Sequence, residues 1–211
     1  MFAFFVKRVL DIVLSIVGLL ISFPIFLVVS LIILLSKDGS VFFLQNRIGK
    51  AGKVFCLFKF RTMIENAENV GDGLTVRSEN DNRVTKIGKI LRKTSLDELP
   101  QLINVLIGDM SIVGPRPPVT YFPYNGYDSY PEWAKRRFDV RPGITGLVQV
   151  SVRNSVSWDE RIKIDIQYIK NYSLLTDIKI LMKTFCRLVR PKNIYGADLS
   201  NALLNDKGVE I

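Results

Sequence analysis

The sequence predicts an α+β fold held at a membrane: an N-terminal re-entrant membrane helix-hairpin broken at Pro24, a small β-hairpin, and several amphipathic interfacial helices around a site on the cytosolic face. Three observations predict it. Ile12 to Leu35 reads IVLSIVGLLISFPIFLVVSLIILL and carries no charge. Two Val- and Phe-rich stretches flank Gly49-Lys50-Ala51-Gly52. Later segments repeat apolar residues at helical spacing, with lysines and arginines opposite. The 211 residues leave room for one compact domain plus an accessory element. They divide into a membrane helix (1–36), a cytosolic domain with interfacial helices (37–190) and a weakly patterned tail (191–211).

The apolar run is long enough to cross a hydrocarbon layer of roughly 30 Å at about 1.5 Å per residue. It is too long for a signal peptide, and no small-residue cleavage site borders it. Pro24 stands at its middle, with Ser22 two positions earlier. A proline there removes a helical hydrogen bond and clashes with the preceding turn, so a kink or break is expected. A kinked spanning helix accommodates the same residues. Charge favours the re-entrant form: Lys7 and Arg8 hold the N-terminus on the cytoplasmic side, and the chain beyond residue 36 is basic too.

VFFLQNRIG and KVFCLFKFRTM read as the two strands of a β-hairpin. On the second strand Val54, Cys56, Phe58 and Phe60 form the expected apolar face, with Lys59 and Arg61 on the other. Those two cations are either solvated or part of an anion site. Residues 64–83 are polar and read as a loop. Val84, Ile87, Ile90 and Leu91 then recur at helical spacing opposite Arg83, Lys86, Lys89, Arg92 and Lys93, a cationic amphipathic helix suited to an anionic lipid surface. Leu99, Leu102, Ile103 and Leu106 define the next helix, which Gly108 should stop. GDMSIVGPRPP reads as a stiff loop holding Arg116 between prolines, and DVRPGITGLVQV as a second such loop with Arg141. Ser157-Trp158-Asp159-Glu160 is a capping box opening a helix to about Ile169. DIKILMKTFCRLV is a further amphipathic helix, with Lys179, Lys183 and Arg187 beside Ile180, Leu181, Phe185 and Leu188.

Composition narrows the chemistry. With no histidine in the chain, a Ser-His-Asp triad, a Cys-His pair and a histidine metal site are excluded. Cys56 and Cys186 lie too far apart for metal-type spacing and read as reduced, buried thiols. A net charge of +9, from 29 basic and 20 acidic residues, suits an anionic partner. Asp97 and Glu98, in RKTSLDELPQLINVL, stand out against that background. Ser95, Asp97 and Glu98 could cap a helix. Pro100, however, disfavours helical geometry at Leu99, so the regular helix should begin near Pro100 with both carboxylates in or just before its first turn. The positive end of the helix dipole favours an ionised carboxylate there, as nucleophile or metal ligand. Adjacent residues diverge by about 100° on a helix, which favours divided roles over a shared proton.

SLDELPQLINVLIGDMSIVGPRP, KFRTM, RVTKIGKILRKTSLDELPQL and RPGITGLVQV, behind an N-terminal hydrophobic segment, closely resemble the monotopic phosphoglycosyl transferases, a family of bacterial sugar transferases. The resemblance runs from about residue 3 to residue 188. It implies transfer of a phospho-sugar from a UDP-sugar to polyprenol (undecaprenyl) phosphate, releasing UMP and initiating glycoconjugate assembly at the bacterial inner membrane, with the catalytic domain on the cytoplasmic face. It also implies a covalent intermediate on Asp97 with Glu98 as its acidic partner, Mg²⁺ bound by Asp97, and a re-entrant helix broken at Pro24. Relatives of this kind can form a homodimer. The resemblance departs at one point: the family often has Ser directly before the proline, whereas here Phe23 precedes it and Ser22 lies one earlier. Lys59, Arg61, Arg92, Arg116 and Arg141 are the candidate phosphate contacts, since Pro-flanked arginines suit bidentate oxyanion binding. The expected partners are therefore UDP-sugar, polyprenol phosphate and anionic membrane lipid, and not nucleic acid. Two rivals remain: a non-catalytic, membrane-anchored basic protein binding lipid or nucleic acid, and a hydrolase in which Glu98 activates water.

Overall fold

The computed structural model describes residues 2–36, 39–70, 81–152 and 156–189. The tail 191–211 lies outside them. Helix α1 runs from Phe2 to Ser36, with Pro24 inside one continuous helix rather than between two separate ones. Two residues before the proline, Ser22 Oγ donates to Gly18 O at 2.6 Å. The displaced serine therefore does engage the backbone, in a bond that tends to bend helices.

Both arms of α1 rest on the rest of the protein. On the N-terminal arm, Asp11 accepts from Ser111 Oγ (2.7 Å) and Ile112 N (3.0 Å), and Lys7 pairs with Asp177 at 2.6 Å. Arg8 donates to the carbonyls of Val105 and Leu106. On the C-terminal arm, Val29 and Ile33 form a buried cluster with Phe60 and Leu91. Between the arms Leu20, Ile21, Phe23, Leu27 and Val28 are exposed apolar surface.

Strands β1 (Phe42–Ile48) and β2 (Val54–Phe60) form the expected antiparallel hairpin, in register Phe42↔Phe60 to Ile48↔Val54. The predicted faces of β2 are corrected. Phe55 and Leu57 are buried, packed with Val105 and Met110, and Val54 is exposed. Phe60 is buried on the opposite side by α1. Because both faces are covered, the strand lacks a clean polar–apolar alternation. Lys59 consequently shares the side of Phe55 and Leu57.

Helix α2 (Lys86–Thr94) is capped by Thr85, whose hydroxyl accepts from Gly88 N. Gly88 is obligatory, since an added Cβ would sit 2.0 Å from Thr62 O. Lys86, Lys89, Ile90 and Lys93 face outward, while Leu91 is buried. Arg83, expected on the cationic face, is instead buried, bonded to Asp81 and to the carbonyls of Ala67 and Val70. Ser95 is not a helix N-cap: at φ 57° it ends α2 in the left-handed region. A 3-10 turn, Leu96–Glu98, follows directly, and α3 (Gln101–Ile107) ends at Gly108, φ +103°.

The two Gly- and Pro-rich loops turn out to pair. β3 (Ser111–Val113) and β4 (Gly143–Thr145) form a short parallel sheet that the sequence pattern did not foretell. Their glycines allow the backbones to touch: a Cβ on Gly114 would lie 2.5 Å from Arg141 O, and one on Gly143 2.1 Å from Gly114 N. Between them lies α4 (Glu132–Lys135). Tyr130, Ala134, Phe138, Ile48 and Ile162 make one core cluster there. After β4 come α5 (Leu147–Ser151), α6 (Trp158–Lys170), opened by the expected Ser157/Glu160 capping box, and α7 (Leu174–Val189). Helix α7 buries Asp177 and Ile180 and presents Leu175, Ile178, Met182, Phe185 and Leu188 outward. Cys186, expected to be buried, lies on this exposed side, and both cysteines are free. Each large apolar side chain fully buried in these clusters contributes on the order of 1.5–3 kcal/mol.

Candidate active site in a cationic cleft

A cleft of about 1110 Å³ opens between the hairpin, the 3-10 turn, the Pro115–Pro118 segment and helices α5 to α7. Local structure brings its charges together. The left-handed residue Ser95 reverses the chain after α2 and sends the Leu96–Glu98 turn inward, burying Asp97. The end of β2 supplies Lys59, the last turn of α2 supplies Arg92, and the proline-rich segment supplies Arg116.

Glu98 is the fixed member of the carboxylate pair. Its Oε1 accepts from Lys59 Nζ at 2.8 Å and from Arg116 Nη2 at 3.2 Å. Asp97 is differently placed. Lys59 stands 3.9 Å from its Oδ2, and no hydrogen-bond donor contacts its carboxylate among the described residues. Burial pushes both carboxyls up. At Asp97 burial prevails over Lys59, and the neighbouring Glu98 charge adds to it. At Glu98 the Lys59 and Arg116 charges outweigh burial and hold it well below the usual carboxylate range. The outcome is a permanently ionised, immobilised Glu98 beside an Asp97 whose oxygens are free to react or to bind a cation.

Of the cations singled out in the sequence, Lys59, Arg61, Arg92 and Arg116 line this cleft. Arg61 is held by Ser40 Oγ at 2.6 Å and Glu65 at 3.4 Å. Arg141 is not brought to the cleft. It donates to Gly108 O at 2.8 Å and lines a separate pocket of about 120 Å³ beside Lys7, Arg8 and Asp11. Its chemistry there is that of a cation satisfying the last carbonyls of a helix.

The cleft also holds residues that sequence reasoning passed over: Arg47, Arg137 and Arg161. Arg137 is buried against Asp165 at 2.7 Å. Arg161 lies over the Trp158 ring, 5.1 Å from its centroid. A signal for Arg137 was available, since Ala134, Arg137 and Phe138 share an i, i+3, i+4 face. An arginine on an apolar stripe should have been asked for its partner.

Among the described residues no group of three or more Asp, Glu or Cys side chains gathers as a metal site would require. Mg²⁺ does not demand one: it commonly takes one or two carboxylates and completes its shell with water and substrate phosphates. The uncommitted oxygens of Asp97 fit that pattern.

The family model described as bacterial sugar transferase matches residues 2–191. The chain is similar to galactosyl transferase CpsE of Streptococcus agalactiae, 47% identical over 191 residues, covering 84% of this chain and 41% of the relative. It is similar to the exopolysaccharide production protein ExoY of Sinorhizobium fredii, 43% identical over 191 residues (84% and 83%). It is also similar to an undecaprenyl-phosphate galactose phosphotransferase of Salmonella typhimurium, 40% identical over 205 residues (90% and 42%). The chain thus spans less than half of two of these relatives and most of the third.

Proposed function

Because this chain belongs to the bacterial sugar transferase family, we propose that it transfers a phospho-sugar from a UDP-sugar to polyprenol phosphate, through a covalent intermediate on Asp97. The observation that carries this reading is the asymmetry of the two carboxylates: Glu98 locked by Lys59 and Arg116, and Asp97 buried but uncommitted. A capping or purely structural pair has no use for the second arrangement. Relatives named as undecaprenyl-phosphate sugar transferases support the same substrate class.

In the proposed reaction an Asp97 carboxylate oxygen attacks the phosphorus that bears the sugar. The bond from that phosphorus to the bridging oxygen breaks, and UMP leaves with the electron pair. The acyl phosphate formed is attacked in turn by a polyprenol phosphate oxygen, which releases the Asp97 carboxylate and yields polyprenol-diphosphate-sugar. Arg116 and Arg92, beside the carboxylates, take up charge on the transferring phosphoryl oxygens, and Lys59 holds Glu98 in place. Mg²⁺ held by Asp97 would neutralise the diphosphate and relieve its repulsion of an anionic nucleophile.

The re-entrant placement is part of the proposal. The arm containing Arg8 and Asp11 and the arm containing Val29 and Ile33 dock on one and the same body. A helix that crossed the bilayer between those positions would require that body on both sides. Entry and return on the cytoplasmic face of the inner membrane avoids this, and leaves the exposed apolar middle in lipid. A non-catalytic lipid- or nucleic-acid-binding role is not favoured, because it leaves unexplained a buried carboxylate that stands among cations with no hydrogen-bond donor among the described residues.

The test is the intact mass of detergent-solubilised protein incubated with Mg²⁺ and a set of UDP-sugars, without lipid acceptor. A sugar-phosphate adduct is expected, absent in Asp97→Asn. UMP release without any adduct would overturn the covalent route.

A further inference from the structure

Residues 115–118 read Pro-Arg-Pro-Pro, so three of the four have no backbone N–H to tie them to a neighbour. Their carbonyls are tied instead, each from a different place. Pro115 O accepts from Gly143 N at 2.9 Å and Arg116 O from Arg137 Nη2 at 3.1 Å. Pro117 O accepts from Arg47 Nη1 at 2.9 Å and Pro118 O from Ile48 N at 3.0 Å. Four consecutive carbonyls are thus held by β4, by the turn after α4 and by two positions of β1. From Val113 to Val119 every residue but Arg116 is buried.

Two of the four donors are side chains, and their own placement is constrained. The nitrogen of Arg137 that reaches Arg116 O is the same one that meets Asp165 Oδ2 at 2.7 Å. Both members of that ion pair are buried, and removing one member of such a pair strands the other. Arg47 is similarly occupied, bonded to Gln45 Oε1, which is itself linked through Gln45 Nε2 to Glu68.

We infer that Arg137, locked by Asp165, and Arg47 are positioning residues that clamp the Pro115–Pro118 backbone and thereby fix the Arg116 guanidinium against Glu98. The inference rests on the reading of Glu98 and Arg116 as parts of a phospho-sugar transfer site. It extends that site to residues remote in sequence, Arg137 on the turn after α4 with its partner Asp165 on α6, and Arg47 on β1, whose part in the reaction is to hold Arg116. A single Nη2 serving two acceptors suits the planar fork of arginine, and lysine cannot reproduce its fixed geometry. Displacement of a positioned group by about 1 Å can cost up to about 100-fold in rate.

Two measurements test it on the full-length protein in detergent. The first is hydrogen–deuterium exchange of the peptide covering residues 114–122 in wild type, Arg137→Lys and Asp165→Asn. The Gly114 amide, which donates to Thr145 O at 2.8 Å, and the Phe122 amide, which donates to Val119 O at 3.5 Å, bracket the clamped stretch and should exchange about tenfold faster in both variants, with α6 peptides unchanged in Arg137→Lys. The second is UMP release from a UDP-sugar that the wild type turns over, for Arg137→Lys, Arg116→Ala and the double variant. Arg137→Lys should lower kcat by about 10- to 100-fold with KM for the nucleotide sugar within about twofold. The double variant should be no slower than Arg116→Ala alone, because the two act as one unit. Wild-type exchange at residues 114–122 in both clamp variants, or losses that multiply in the double variant, would overturn the inference. An inactive wild type would count against the proposed function instead, and the exchange result alone would then decide the clamp.

Discussion

Lys59 Nζ lies 2.8 Å from Glu98 Oε1, more than an ångström closer than its 3.9 Å approach to Asp97 Oδ2. One cation thereby divides two adjacent carboxylates into a held one and a free one. Lys59→Met keeps the length of the side chain and removes its charge. Loss of such an electrostatic contact typically costs about 100- to 1000-fold in kcat, and steady-state UMP release should show a loss of that order, with partial recovery in Lys59→Arg.

The rate should depend on pH through Asp97, whose carboxyl burial raises to about 6. Attack needs the ionised form, so turnover at fixed Mg²⁺ should climb as pH rises through about 6 and level off above it. Additional Mg²⁺ should move the inflection to lower pH, since a bound cation favours the carboxylate. Stability runs the other way. A folded value above the unfolded one means that protonation of Asp97 favours folding, a contribution fully present below about pH 4 and lost as pH rises through about 6. Asp97→Asn, which mimics the neutral form, should therefore melt higher than wild type at pH 7 while forming no adduct. A melting temperature at or below that of wild type would refute the burial argument.

Gly114 is placed where only hydrogen fits, with Arg141 O and Gly143 N within 2.9 Å of an added Cβ. Gly114→Ala must push β3 from β4, because both obstacles are backbone. A loss on the order of 1–3 kcal/mol is expected from overpacking of this kind, read from chemical denaturation. Activity should fall further than stability, since the displaced strand leads directly into Arg116.

The outward face of α7 should contribute to membrane affinity. Met182→Glu with Phe185→Glu places two charges on exposed positions, 61% and 64% accessible. The fold should melt within about 2 °C of wild type, because surface changes usually alter stability little. Flotation with anionic vesicles should recover measurably less of the double variant than of wild type. Equal recovery would remove α7 from the interface.

Much of this architecture was legible in the sequence where one residue type has one physical use. The Ser157/Glu160 capping box, the Gly108 stop and the hairpin around Gly49–Gly52 all stand where they were expected. So does the position of Asp97 and Glu98 before α3, although Leu99 keeps the helical angles (φ −53°, ψ −39°) that Pro100 was expected to disfavour, and the two carboxylates sit on a 3-10 turn that runs straight into the helix. The errors have a common origin in surfaces covered on two sides. β2 lost its alternation because α1 covers one face and α3 the other, and Cys186 faces outward because α7 is apolar on both its inner and outer sides. The β3–β4 pair was hidden for another reason: three-residue strands are too short to show a period of two, and their pairing depends on glycines some thirty residues apart. Asp11 was overlooked although it borders the uncharged run, and an ionisable residue at such a place ordinarily has a partner.

That partner has a practical consequence for anyone wishing to work with the catalytic portion alone. Asp11 satisfies Ser111 and Ile112 at one edge, and Val29 and Ile33 roof Phe60 and Leu91 at the other. Cutting the chain after residue 36 would uncover two large side chains and leave the Ile112 amide without its Asp11 acceptor, so a trimmed, water-soluble version should clump rather than work. Helix α1 is a wall of the house, and purification must begin from choosing a detergent that leaves that wall standing.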